Sequence, residues 1–139
     1  MHDPKTSFVD ARGTITNLVV SDDAGAIGGV QLIESKGGSV RANHWHREDS
    51  HALHVLSGSV VYLEREHGED DTPKRTVFGP GETIFTGPEV DHALLFPVDT
   101  LMISVSQFRR GQDPHDAVPL EEAMVDEEAV FVGDGEVVG

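Results

Sequence analysis

Gly38-Ser39-Val40-Arg41-Ala42-Asn43-His44-Trp45-His46-Arg47-Glu48-Asp49-Ser50-His51, running on through Ala52-Leu53-His54-Val55-Leu56-Ser57 to Gly58, is the stretch whose reading decides the fold. Its apolar and β-branched residues, broken by a polar turn, predict strands over Ser39–His46 and His51–Ser57. Side chains two apart on a strand face the same side, so His44 and His46 share a face. On the returning strand His51, Leu53, Val55 and Ser57 share one face, and His54 points to the other. Three or four imidazoles converging inside a β-barrel make a site for a divalent first-row metal such as Zn, Ni, Fe, Mn or Cu. The plainer alternative for His44 and His46 alone is an exposed or hydrogen-bonded pair. His2, His67 and His115 read as surface residues, whereas His92 opens a later strand and joins the candidate cluster.

Outward from this stretch the pattern stays β. Further strands are expected over Thr14–Val20, Gly29–Glu34, Ser59–Glu66, Lys74–Phe78, Thr83–Phe85, His92–Phe96 and Leu101–Ser106. Ser57-Gly58-Ser59, Glu66–Pro73 and Phe78-Gly79-Pro80-Gly81-Glu82 are the turns between them. Short strands without a convincing helix between them imply an all-β sandwich or barrel.

The chain has 139 residues, the size of one domain, and a formal net charge of −15. Residues 1–110 hold 16 acids and all 10 bases, while residues 111–139 hold nine acids and no base. We therefore expect a barrel domain over 1–110 and an acidic tail over 111–139. In the tail Pro119 would start a short helix running to Glu128, and Val130-Phe131-Val132 would dock on the body. Without cysteine the chain has no disulfide and no thiolate metal site. No apolar run approaches a membrane span, and the first residues lack the pattern of a secretory signal. The expected protein is cytoplasmic, with small molecules rather than nucleic acid or membranes as partners, since its charge opposes both polyanions. An acidic, lysine-poor composition also fits adaptation to salt or an arginine-biased genome.

The opening stretch resembles the first motif of the cupins. That motif is a glycine, five residues, His-x-His, three or four residues, a glutamate, six residues and a glycine. Gly38, His44, His46 and Gly58 fall in its register, and His51 stands at the glutamate position. Gly81, Pro88 and His92 are similar to the second motif. The resemblance spans roughly residues 29–106 and implies a jelly-roll, the double-stranded β-helix, with a metal between its sheets. It implies His44, His46 and His92 as ligands and His51 as a histidine in the carboxylate's place, with Glu48 in the turn as a competing ligand. An all-histidine set would leave the ion its full charge and favour anionic or enediolate-like ligands.

A narrower resemblance joins Asp10-Ala11-Arg12-Gly13-Thr14-Ile15 and Arg41-Ala42-Asn43-His44-Trp45-His46 to the dTDP-sugar epimerase and ketoisomerase cupins, with Ala42 where those carry glycine. It implies proton transfer beside a ketone without a metal, with His44 or His46 as base. Tyr62 is the only tyrosine in the chain. Arg12 and Arg41 are candidate substrate-binding residues, because guanidinium suits phosphate or carboxylate. The leading expectation is a metalloenzyme of isomerase, epimerase or lyase type acting on a small polar carbonyl or carboxylate metabolite, with Tyr62, His54, Glu48 and Asp91 as candidate proton carriers. A metal-free epimerase, a cupin dioxygenase and a non-catalytic ligand-binding cupin are the alternatives. Small cupins commonly form dimers, so a homodimer is expected.

Overall fold

The structure is a computed structural model that describes residues 7–20, 27–108, 117–120, 123–124, 130–132 and 136–138. Its described strands are β1 (Ser7–Asp10), β2 (Gly13–Val20), β3 (Gly29–Ser35), β4 (Ser39–His46), β5 (His51–Ser57), β6 (Val60–Glu66), β7 (Lys74–Phe78), β8 (Thr83–Thr86), β9 (Val90–Phe96), β10 (Thr100–Ser106), β11 (Ala117–Pro119), β12 (Val130–Val132) and β13 (Glu136–Val138). All pairings are antiparallel, in a six-stranded sheet ordered β1-β2-β3-β10-β5-β8 and a five-stranded sheet ordered β11-β4-β9-β6-β7. From β3 to β11 the chain changes sheet at every step except β6 to β7, as in a jelly-roll. Among the described residues no helix is long and apolar enough to cross a membrane.

Alternation along each strand builds the interior. In β10, Thr100, Met102, Ser104 and Ser106 are buried while the residues between them are half-buried. Ile15, Ile33, Leu53, Val55, Ile84 and Met102 from one sheet meet Val60, Tyr62, Leu94 and Phe96 from the other. Each large side chain so buried stabilises the fold by about 1.5–3 kcal/mol. The inward rows change character along the barrel. The row Ile33–Met102–Val55 is apolar, whereas the rows Gln31–Ser104–Leu53 and Gly29–Ser106–His51–Thr86 turn progressively polar. The apolar end carries the core, and the polar end carries the cavity.

Two glycines are required by close approach. A Cβ on Gly58 (φ +94°) would lie 2.4 Å from Thr100 Oγ1 and 2.5 Å from the Asp99 carbonyl oxygen. One on Gly13 (φ +133°) would lie 2.0 Å from the Glu34 carbonyl oxygen. The first glycine closes the turn between β5 and β6, and the second lets the β1–β2 hairpin lie against β3.

Beyond residue 110 the described residues depart from the expected helix. Pro119 ends β11, and Leu120, Ala123 and Met124 are not helical; the rest of 119–128 lies outside the described residues. Ala117–Pro119 pairs with His44–His46, and Leu120 N–H donates to the Asn43 carbonyl. The pull is the exposed edge of β4, whose backbone groups need partners. Val130–Val132 pairs with Glu136–Val138. It is Met124 that packs on the outer face of the five-stranded sheet, against Val40, Val61, Ala93 and Leu95.

Candidate metal centre and ligand cavity

The site begins with a bulge in β4. Regular alternation would put Arg41 on one face and His44 and His46 on the other. Ala42 (φ +69°) and Asn43 (φ +58°) instead adopt the left-handed conformation, and the β4–β9 register shifts between Ala42 and His44. A bulge inserts one residue and inverts the parity of the strand beyond it. Arg41, His44 and His46 therefore all line one cavity of about 240 Å³.

His92 lies directly opposite His44 in the register of β9, and His51 reaches the same cavity from the first residue of β5. Ring centroids of His44 stand 4.7 Å from those of both His46 and His92, and His46 stands 4.5 Å from His51. One ligand nitrogen from each of His44, His46 and His92 lies within 4.8 Å of the other two. The structure thus brings together the four histidines expected from sequence. His92 Nδ1–H donates to the Val90 carbonyl (2.9 Å), which leaves the lone pair on Nε2. Burial pushes its pKa down to about 4, so it is neutral at pH 7. Neutral, oriented imidazoles are the donor set that a divalent transition metal needs.

The two arginines form another part of the wall. Buried Arg41 donates from Nε to Ser35 Oγ (2.8 Å) and from Nη2 to the Glu34 carbonyl (3.3 Å). Arg12 donates from Nε and Nη2 to Asp10 Oδ2, while its backbone N–H donates to Asp10 Oδ1. The Arg12 side-chain hydrogen bond holds the Asp10 carboxyl below its ordinary range. Asp-x-Arg-Gly therefore works as one unit: the aspartate aims the arginine and the glycine admits the turn.

Other candidates lie elsewhere. Glu48 is exposed in the turn between β4 and β5 and does not line the cavity, because hydration holds an ionised turn residue outward. His54 faces away from the barrel, with Nδ1 hydrogen-bonded to Thr83 Oγ1 (2.9 Å). Asp91, one residue before His92 and so on the opposite face, accepts from His67 Nδ1–H (2.7 Å) and Arg65 Nη2 (3.2 Å). His67 stacks on Trp45 at 3.8 Å, a partnership its loop position did not suggest. Tyr62 does face inward, but behind the cavity wall. Its hydroxyl shares a 2.6 Å hydrogen bond with Thr86 Oγ1, and burial pushes its pKa up to about 12.

Sequence reasoning missed Asp49. It is fully buried in the crossing from β4 to β5, where Oδ1 accepts the N–H groups of Ser50 (2.9 Å) and Phe108 (3.1 Å). Its spacing of two from His51, the same-face spacing of an extended chain, was the available signal. Gln31, Thr86 and Ser104 also line the cavity unannounced, since nothing in an isolated strand distinguishes them from other inward polar residues.

No family model and no curated protein matches the chain. Solved structures do. Capsular polysaccharide assembling protein CapF from Staphylococcus aureus superposes with a TM-score of 0.73 at 24% identity, over 86% of this chain and 35% of that one. KdgF from Halomonas sp. gives 0.62 at 15% identity, over 79% of this chain and 89% of its own. The S161A mutant of Bacillus subtilis oxalate decarboxylase OxdC gives 0.64 at 14% identity, over 84% and 30%. The chain shares the fold of these structures. The jelly-roll expected from the Gly38–Gly58 stretch is the one observed. The chain spans about a third of the length of CapF, and at these identities the likeness concerns architecture alone.

Proposed function

We propose that this cupin binds a divalent transition metal through its histidine cluster and acts on a small carboxylate- or carbonyl-containing metabolite. The observation that carries the reading is the convergence of His44, His46 and His92 nitrogens within 4.8 Å inside a cavity walled by Arg41. His44, His46 and His92 would hold the ion with His51 beside them, and it would supply Lewis-acid polarisation of a substrate oxygen. Arg41, fixed by Ser35 and the Glu34 carbonyl, binds an anionic group of the substrate in a set direction. Arg12, held by Asp10, adds positive charge along the same wall. Ile15, Ile33, Leu53 and Leu94 exclude water from the inner end of the cavity. Tyr62, with its pKa pushed up to about 12 and its hydroxyl hydrogen-bonded to Thr86, is suited to a structural role at neutral pH. His54 and Glu48, expected as proton carriers, do not line the cavity. Isomerase-type or lyase-type chemistry beside a carbonyl suits these groups.

The names of two structural neighbours, an oxalate decarboxylase and a capsular polysaccharide assembling protein, support testing small dicarboxylates and sugar derivatives as the two substrate classes. Protein purified without a histidine tag should carry about one transition-metal ion per chain by plasma mass spectrometry. His44→Ala and His46→Ala should each weaken metal affinity by about 100-fold or more. Reproducibly metal-free protein with turnover intact would replace this reading with metal-free proton transfer.

A further inference from the structure

The glutamate position of the cupin motif holds His51, so the cluster read from sequence contains no carboxylate. The fold supplies one two residues earlier. Asp49 lies in the crossing from β4 to β5, with no part of it exposed to solvent. Its Oδ1 accepts two backbone N–H groups, which pins the carboxylate plane, and its Oδ2 faces His51 Nε2 at 3.8 Å. That separation is too long for a hydrogen bond. It is nevertheless within reach of a shared ion, because two atoms each about 2.1 Å from one metal lie at most about 4.2 Å apart. Ligand atoms of His46, Asp49 and His51 lie within 4.8 Å of one another. His46 also belongs to the triplet with His44 and His92, so the carboxylate stands next to the imidazole cluster and shares one histidine with it.

We propose that Asp49 is a direct metal ligand, supplying from the turn the carboxylate that position 51 lacks. The inference rests on the metal-binding reading above. It changes the chemistry of that site. A purely imidazole set leaves a divalent ion at +2, whereas an anionic oxygen donor lowers the site charge to +1 and hardens the donor set, which moves preference toward Mn, Fe or Zn.

Asp49→Asn tests this, because the amide oxygen can still accept the Ser50 and Phe108 N–H groups while the charge and the anionic donor are lost. Chelator-competition titration with Co(II) and Zn(II) should show affinity at least about tenfold weaker than wild type, and the Co(II) visible spectrum should shift. Unchanged affinity with an unchanged Co(II) spectrum would overturn the proposal and leave Asp49 as a brace for the turn, with the histidine site intact. A wild-type chain that binds neither ion would instead overturn the metal reading itself. Wild-type protein labelled with ¹³C at aspartate carboxyls covers the case in which the variant does not fold. One equivalent of Zn(II) should then shift one buried aspartate band in the infrared difference spectrum, and no shift would refute ligation.

Discussion

At His92 the Val90 carbonyl holds the Nδ1 proton, and burial keeps the ring neutral down to a pKa of about 4. An unfolded chain protonates this residue near pH 6.5. Between these values the unfolded state binds the extra proton and the native state does not. Stability from the buried neutral ring is therefore fully present above about pH 6.5 and is lost as pH falls through about 4. For metal-stripped protein the unfolding free energy from urea titration should fall between about pH 7 and about pH 4.5, by an amount on the order of 1–3 kcal/mol. His92→Gln should flatten that part of the profile. A wild-type midpoint constant across the window would contradict a buried, neutral His92. The positions of the histidines themselves were legible from same-face spacing, because period-two alternation is local. The burial of Asp49 was not, because in sequence it is one more acid in a polar turn, and only the strand end at Phe108 supplies the amide that holds it inside.

Within β4, the bulge at Ala42 and Asn43 decides what the site contains. It turns Arg41 and the two histidines to one face, so the proposed anion binder and the proposed metal donors share a cavity. Asparagine tolerates the left-handed conformation, but alanine does not, and a Cβ there costs about 1–2 kcal/mol. Ala42→Gly should therefore raise the unfolding free energy by about 1 kcal/mol in urea titration, with metal affinity unchanged. A destabilised Ala42→Gly protein would mean that the strain is absent. Strand boundaries were read correctly to within two residues for nine strands, since hydrophobic alternation and turn residues are both local signals. β11 escaped because three residues of Ala-Val-Pro carry no period of their own. The backbone edge of β4 makes them a strand.

Across the whole molecule the outer face of the six-stranded sheet stands out. Register aligns Val30, Val105, Ala52 and Phe85 in one cross-strand row, and Leu32, Ile103, His54 and Thr83 in the next. Neither row contains an acid, a lysine or an arginine, and Phe85 is 70% exposed. On a chain of net charge −15, two copies meeting elsewhere bring acid against acid. This face lets them meet without that repulsion, so a homodimer through it is the expected assembly, strengthened by salt that screens the remaining charge. Light scattering after size exclusion should find a dimer, and Phe85→Asp should give a monomer. A wild-type monomer at both low and high salt would remove this assignment.

The sequence alone determined the class of fold and the histidine-rich face, because strand alternation, turn glycines and the His-x-His spacing are properties of neighbouring residues. It also made the acidity visible, and with it the absence of thiolate ligands. Which groups meet was decided by the tertiary structure. The pairing of β4 with β9 sets His92 against His44, the bulge adds Arg41, and the crossing between sheets buries Asp49 beside His51. His54, Glu48 and Asp91 were equally plausible as residue types, yet the same pairings turn them outward or engage them elsewhere. A site assembled from strands distant in sequence is fixed by register, and register is settled only when both sheets close over one core.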